Sequence, residues 1–599
     1  MFCIVCLIYE LVLSEVAAVD CIEEAKAASR KDDCETLKRI ARGHAQDADN
    51  PLFNALAACG LAMDFKRVEL QLDQSFSYPC FPPKEMLETI ASSGFFNKIL
   101  GVPIAYSDGA LPRFWHTYRK IFPNHEIFHQ QPPVDFSHLL PYYLHGDGGR
   151  TYKKDSIMIL SMFSAFGEGT ARSPVNLEPV PGKGPKRPFR ADDGSFRPGV
   201  NLKGNPFTNR YLFTAMKTEF YKKSRHRFTA LLDAWGKYLE KLFHEGFTFN
   251  GEVWRVAILG LTGDAPFLRE AGNHVRSFSN VRKSARSTAL LKGVCYLCAA
   301  GRTNGPPFED IRLTAAEWTK TCGPNNLLPW DEPSPLLHYL PVNDTDVAGF
   351  FKPDLFHVFH AGLGKDYAAS CLVYLCKSIY KQRRIDTSLQ LLNADFRQFL
   401  QDTKEKCNFR QFSFEMLGYE SSRSYPKGHW SKNMDTATVC KFVEHACVKY
   451  VFDFLDDECI AVIIDACGAI HQFMTIVFTG SFFLTEQEAW QMISSGHAFL
   501  LNYVKLARLS FNMSLCLFAL KPVMHMFAHI LHTALQQFRL CSTGVINPCA
   551  EATFMSEDYI GRIARISRRV SARKHGLKIM YRYMVSVKHF LQHPDGLQL

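Results

Sequence analysis

Residues 252–264 read EVWRVAILGLTGD. The segment is apolar for most of its length and stops at a bare carboxylate, Asp264, set between Gly263 and Ala265-Pro266. A Gly-Asp pair alone is only a turn signal. It acquires a second reading because another run ends the same way: HLLPYYLHGDGG (138–149) closes on Asp147 and two glycines. Both runs have the length and composition of buried strands.

Between them the chain supplies the rest of a sheet. SIMILSMFSAF (156–166) is a second strand, and RYLFTAMKTEFY (210–221) a third. HRFTALLDAWGKYLEKLFHEGF (226–247) has Phe228, Leu231, Leu232, Trp235, Leu239 and Leu242 at helical spacing, the stripe of an amphipathic helix. The resulting order is strand-strand-strand-helix-strand, with an acid closing the first strand and another closing the fourth. This is the order of the first half of an RNase H-like mixed sheet, in which the first and fourth strands lie side by side and parallel. Neighbouring strands are about 4.8 Å apart. Asp147 and Asp264 are therefore expected to meet and share a divalent cation; the competing reading is two unrelated turn aspartates.

The fold class expected is α/β, with that sheet interrupted by a large, mostly helical insertion and preceded by a helical N-terminal region. The expected divisions are 1–135 (helical N-terminal region, with 21–100 read as helices), 136–290 (first part of the sheet domain), 291–545 (helical insertion) and 546–599 (closing helix). At 599 residues the chain is too long for one uninterrupted core. The loop at 167–208 is rich in Gly, Pro and basic residues, among them Lys183, Lys186 and Arg187. SEDYIGRIARISRRVSARKHGLKIMYRYMVSVKHFL (556–591) reads as one helix with Ser556 as its cap and Glu557 and Asp558 in its first turn. Arg562, Arg565, Arg568 and Arg569 then form a basic face suited to phosphate, or to solvent.

Composition narrows the class. Hydrophobic residues make up 47% and charged residues 21%, a globular balance that excludes disordered and collagen-like chains. A net charge of +10 permits a polyanionic partner without requiring one. The 19 cysteines are odd in number and scattered through apolar stretches, as in an intracellular protein with reduced thiols. Cys295 and Cys298 stand out by their C-x-x-C spacing and form half of a candidate zinc site, with His357 or His360 expected to complete it. His525 and His529, at i and i+4 in an apolar helix, read as core histidines. No segment sustains the uncharged apolar length of a membrane span; 459–484 comes closest, and Asp465 and His471 interrupt it. The apolar N-terminus is a poor signal peptide, and no membrane partner is expected. There is no P-loop, G-x-G-x-x-G or G-x-S-x-G.

In combination these blocks resemble the DDE/D transposases of the CACTA (En/Spm-like) group. The matching pieces are LHGDGGRTYKKDSIMILSM, LGLTGDAPFLREAG, KGVCYLCAAG (292–301), PDLFHVFHAGLGKD with Asp354 and His357, LKPVMHMFAHIL (520–531) and SEDYIGRIARISRR. The islands lie in order between residues 140 and 590. The resemblance implies a nuclear enzyme that cleaves and transfers DNA strands. Its two Mg2+ or Mn2+ ions would be held by Asp147, Asp264 and a third acid assigned to Glu557, with Asp558 and Glu551 as alternatives. It also implies double-stranded DNA ends as substrate and a homo-oligomer as the working form. Two departures from the pattern, the long 167–208 loop and an N-terminus with no evident zinc finger, favour an alternative: a catalytically inactive, transposon-derived DNA-binding protein.

Overall fold

The run Leu139–Arg150 has no charged residue before Asp147, and it forms the central strand of a five-stranded sheet. The computed structural model describes residues 12, 16–30, 34–43, 48–103, 109–152, 155–173, 197–281, 290–430 and 435–593. Its strands, in chain order, are β1 (Val68–Asp73), β2 (Phe76–Cys80), β3 (Leu139–Arg150), β4 (Ser156–Ser164), β5 (Tyr211–Lys217), β6 (Phe247–Phe249) and β7 (Glu252–Thr262). The large sheet is mixed, with order β5-β4-β3-β7-β6. β3 pairs antiparallel with β4 and parallel with β7, and β4 pairs antiparallel with β5. The protein is α/β, a curled mixed sheet set among many helices.

The β3–β7 register positions the two acids. His145 pairs with Thr262, and both strands run in the same direction. Two residues further along each chain stand Asp147 and Asp264, level with one another, and a period of two gives them a common face. Each acid follows a glycine, and both glycines make room for Phe267. A Cβ on Gly146 would lie 2.1 Å from the Phe267 ring, and one on Gly263 would lie 2.5 Å from it.

The helix Arg225–His244 crosses from β5 to the β6–β7 hairpin and buries Phe228, Leu231, Leu232, Trp235, Leu239 and Leu242, the stripe its periodicity marks out. The Trp235 ring stacks on Phe213 of β5 at 5.3 Å. The chain then leaves the sheet and returns along the far end of β7. The Lys352 amide donates to the Leu261 carbonyl at 2.9 Å, and Gly260 leaves space for the Phe350 carbonyl, 2.7 Å from where its Cβ would be. This return delivers Asp354 and His357 to the acid-bearing strand ends.

Six longer helices form the insertion: Gly364–Lys377, Ile385–Thr403, Asp435–Lys449, Glu458–Thr479, Glu486–Asn512 and Pro522–Leu540. Glu458–Thr479 is the one helix among the described residues long and apolar enough to cross a membrane. It packs lengthwise on Glu486–Asn512, with 56% of its most apolar stretch buried in the protein.

Several sequence expectations are corrected. The N-terminal region is not helical throughout, since β1 and β2 form a hairpin within it. The third strand stops at Lys217, and Glu219–Lys222 turns helical. A short extra strand, β6, edges the sheet. The closing segment is two helices, Phe554–Arg569 and His575–Gln592, separated by a turn in which Lys574 has φ +51°. Ser556 is not the cap: the helix starts two residues earlier, and the buried Ser556 hydroxyl accepts from Arg210 Nε at 3.3 Å. The first of these helices lies across β3, its Ala564 methyl 2.9 Å from where a Cβ on Gly149 would stand. The second anchors the N-terminal region, with Tyr581 stacked on Phe53 at 4.2 Å and Lys578 3.6 Å from buried Asp49.

Candidate metal centre

Asp147, on β3, is buried, with 7% of its surface exposed. The Gly148 amide donates to its Oδ1 at 2.6 Å. Asp264 follows β7 and is the N-cap of the helix Ala265–Ala271, accepting from the Phe267 amide at 2.8 Å. One ligand atom each from Asp147, Asp264 and His357 lie within 4.8 Å of one another. Glu557 enters from the first turn of the helix Phe554–Arg569, with its Oε1 3.3 Å from His357 Nε2. The cluster thus draws on two strand ends, the segment returning from the insertion and the closing helix.

His357 is oriented from behind. Its Nδ1 lies 2.6 Å from Asp354 Oδ2. Asp354 in turn accepts from the Phe356 amide and from both the amide and the hydroxyl of Thr553, at 2.9, 2.9 and 2.5 Å. Burial alone would raise the Asp354 carboxyl, but His357 and Thr553 outweigh it and hold it below the usual range. Because Thr553 immediately precedes the closing helix, Asp354 also ties that helix, and with it Glu557, to the His357 segment.

Asp147 behaves in the opposite way. Burial, followed by the hydrogen bond and like charge of Glu557, pushes its carboxyl up to about 7; His357 and the Gly148 amide pull the other way. Two carboxylates within reach oppose one another's ionisation, and a cation bound between them relieves that repulsion. Oxygen donors held this way suit Mg2+ or Mn2+. The alternative third acids lie elsewhere. Asp558 points outward and pairs with Arg562 at 3.0 Å. Glu551 sits with Lys352 at 3.5 Å and Tyr143 Oη at 3.3 Å.

The second group is sulfur- and nitrogen-based. Cys295, Cys298, His525 and His529 are all buried and place one ligand atom each within 4.8 Å of the others. Cys298 Sγ lies 3.2 Å from both His525 Nε2 and His529 Nε2. This is a Cys2His2 group able to bind a metal such as zinc. Burial pushes both thiols up and His529 down, so metal uptake must release protons. The Trp318 ring walls the group, 4.8 Å from the His525 ring and 4.6 Å from that of His529.

The expected zinc partners are thereby corrected. His357 belongs to the carboxylates, where Asp354 holds it. His360 is buried among rings, 5.3 Å from Phe554 and 6.2 Å from Phe356, and neither ring nitrogen has a hydrogen-bond partner among the described residues. The usable signal was the i, i+4 spacing of His525 and His529, which puts both rings on one helix face. Of the basic residues, Arg565, Arg568 and Arg569 are exposed. Arg562 is half-buried against Asp558, and Arg568 Nε donates to the Arg150 carbonyl at 3.1 Å. Lys183, Lys186 and Arg187 lie outside the described residues. No protein-family model matches this chain, and no curated protein matches it.

Proposed function

We propose that this chain is a transposon-derived protein that cleaves and transfers DNA strands with divalent metal ions, through an acid site of the RNase H-like kind. The observation that supports this reading is the meeting of Asp147, Asp264 and His357 within 4.8 Å, with Glu557, 293 residues beyond Asp264, set against both His357 and Asp147. Asp147 and Asp264 would hold Mg2+ or Mn2+, with Glu557 as the third carboxylate. Bound there, the ions would stabilise the attacking and leaving oxygens of a phosphodiester. The protein's own part is placement. The β3–β7 register aligns two acids, the helix cap fixes the Asp264 rotamer, and Asp354 orients His357 so that it faces Glu557. The exposed Arg565, Arg568 and Arg569 extend from the same helix as Glu557 and would bind the backbone of double-stranded DNA. Cys295, Cys298, His525 and His529 would hold a structural Zn2+. Action on paired DNA ends would further call for a homo-oligomer in the nucleus.

The test is incubation of the purified protein with supercoiled plasmid and Mg2+ or Mn2+. Nicking that disappears in Asp147→Asn, Asp264→Asn and Glu557→Gln is expected. Equal nicking by these variants overturns the proposal. Salt-sensitive DNA binding without nicking by any form leaves the inactive DNA-binding alternative.

A further inference from the structure

A cavity of about 80 Å3 lies where the segment returning to β7, the helix Pro522–Leu540 and the residues just before the closing helix come together. It is far smaller than the ~300–1,000 Å3 of drug-sized ligand sites, and has room for a few waters or one small ion. Its polar lining is mostly donors whose direction is fixed. His125 is 5% exposed. The Ile127 amide donates to its Nδ1 at 3.3 Å, which puts the ring proton on Nε2. Burial, followed by Lys352, pushes the imidazole down to about 3, so it is a neutral donor. Gln537 is 7% exposed, and the Ile546 amide donates to its Oε1 at 2.9 Å, which directs the NH2 group elsewhere. Neither His125 Nε2 nor Gln537 Nε2 has a hydrogen-bond partner among the described residues, and neither is sealed off from the cavity that both residues line. Asn343 adds a third donor, because its Oδ1 accepts from the Thr345 hydroxyl at 3.0 Å and its Nδ2 is spare. Lys352 supplies a positive charge.

Two carboxyl groups share this lining. Glu551 Oε1 accepts from Tyr143 Oη at 3.3 Å and lies 3.5 Å from Lys352 Nζ, while its Oε2 has no hydrogen-bond partner among the described residues. Asp346 accepts from the Gly349 amide at 3.2 Å; burial raises its carboxyl, and Lys352 opposes the rise. A bare cation would meet three N–H donors and a lysine. A fully ionised anion such as sulfate would meet the Glu551 carboxylate with no proton between them. A small oxyanion that carries a proton satisfies both sides: its oxygens accept from His125, Gln537, Asn343 and Lys352, and its hydroxyl donates to Glu551. We propose that this cavity binds the protonated phosphate group of inorganic phosphate or of a phosphomonoester. The backbone diester of DNA has no such proton, so the site is separate from any path of a DNA strand. Lys352 and Glu551 stand two residues before Asp354 and Thr553, which are hydrogen-bonded to one another. Bound phosphate would brace the joint that holds His357 to the closing helix.

The test is titration calorimetry of the full chain at pH ~6 without divalent ions, against inorganic phosphate, methyl phosphate, dimethyl phosphate and sulfate. At that pH about half of a monoester keeps its proton. Phosphate is expected to bind at least about tenfold more tightly than sulfate, the worth of one charge-assisted hydrogen bond, and dimethyl phosphate should not bind. Methyl phosphate binding as phosphate does would admit monoester ends, and its exclusion would narrow the ligand to the free ion; the site stands in either case. Gln537→Glu keeps an acceptor for the Ile546 amide but sets a carboxylate against the anion, and should abolish binding. Glu551→Gln should remove the preference for phosphate by gaining sulfate binding, a gain that only a folded protein can show. Equal affinity of wild type for phosphate and sulfate would mean an adventitious ion only. No binding of phosphate, or binding that both variants leave unchanged, overturns the site. None of these outcomes bears on DNA cleavage, so the two proposals fail separately.

Discussion

At Asp147, one carboxyl group is placed where it is least comfortable as an anion and most useful as a ligand. Its ionisation lies near 7 because burial and Glu557 both oppose the charge. The folded value is raised above that of the unfolded chain, so protonated Asp147 favours the folded state. That contribution is complete below the ordinary carboxylate range and is lost as pH rises through 7. Asp147→Asn should therefore leave the melting temperature unchanged in acid and, without divalent ions, make the protein more stable than wild type as pH rises past 7. Thermal unfolding across pH checks this. In wild type, Mg2+ should raise the melting temperature more at pH ~8 than at pH ~6, since the cation replaces the proton; a pH-independent effect would mean that the ion binds elsewhere.

The secondary-structure elements carry the acids, and their termini decide whether the acids meet. Asp264 both faces the cluster and caps a helix, and substitution separates the two roles. Asp264→Ala should cost about 1 kcal/mol through the lost cap, while Asp264→Asn should cost little, because Asn also caps well. Both should abolish metal-dependent nicking. Gly146→Ala sets a methyl into the Phe267 ring and should destabilise by about 1–3 kcal/mol by overpacking, with cleavage reduced as the Asp264 helix is pushed outward. β3, β4 and β7 were legible because each is a continuous apolar run ending in glycine or a polar residue. β6 was not, since three residues carry no period. The break between the last two helices falls in VSARK, which contains neither Gly nor Pro, so no local signal marks it. The carboxylates could be read from strand ends, but the histidines could not be sorted. Imidazole serves thiolates and carboxylates equally well, and only the return path through Lys352 assigns His357 to one and leaves His525 and His529 to the other.

At the scale of the whole molecule, the Cys2His2 group fastens the segment after β7 to the helix Pro522–Leu540, and thus one end of the insertion to the other. One zinc per chain is expected by native mass spectrometry. Cys298→Ser should lose it and lower the melting temperature by several degrees; an unchanged melting temperature and no bound zinc in wild type would make the group four buried core residues. The exposed arginines should govern salt dependence. Replacing Arg565, Arg568 and Arg569 with Ala should flatten the log–log slope of DNA affinity against salt by up to about 3. The order of the acids along the chain has a further consequence. A ribosome delivers Asp147 and Asp264 long before Glu557, and N-terminal parts fold first during synthesis. A nascent polypeptide, or one ended early by a stop codon within the insertion, holds two of the three carboxylates and no closing helix, so whatever reaction the cluster performs is withheld until the ribosome has passed Glu557.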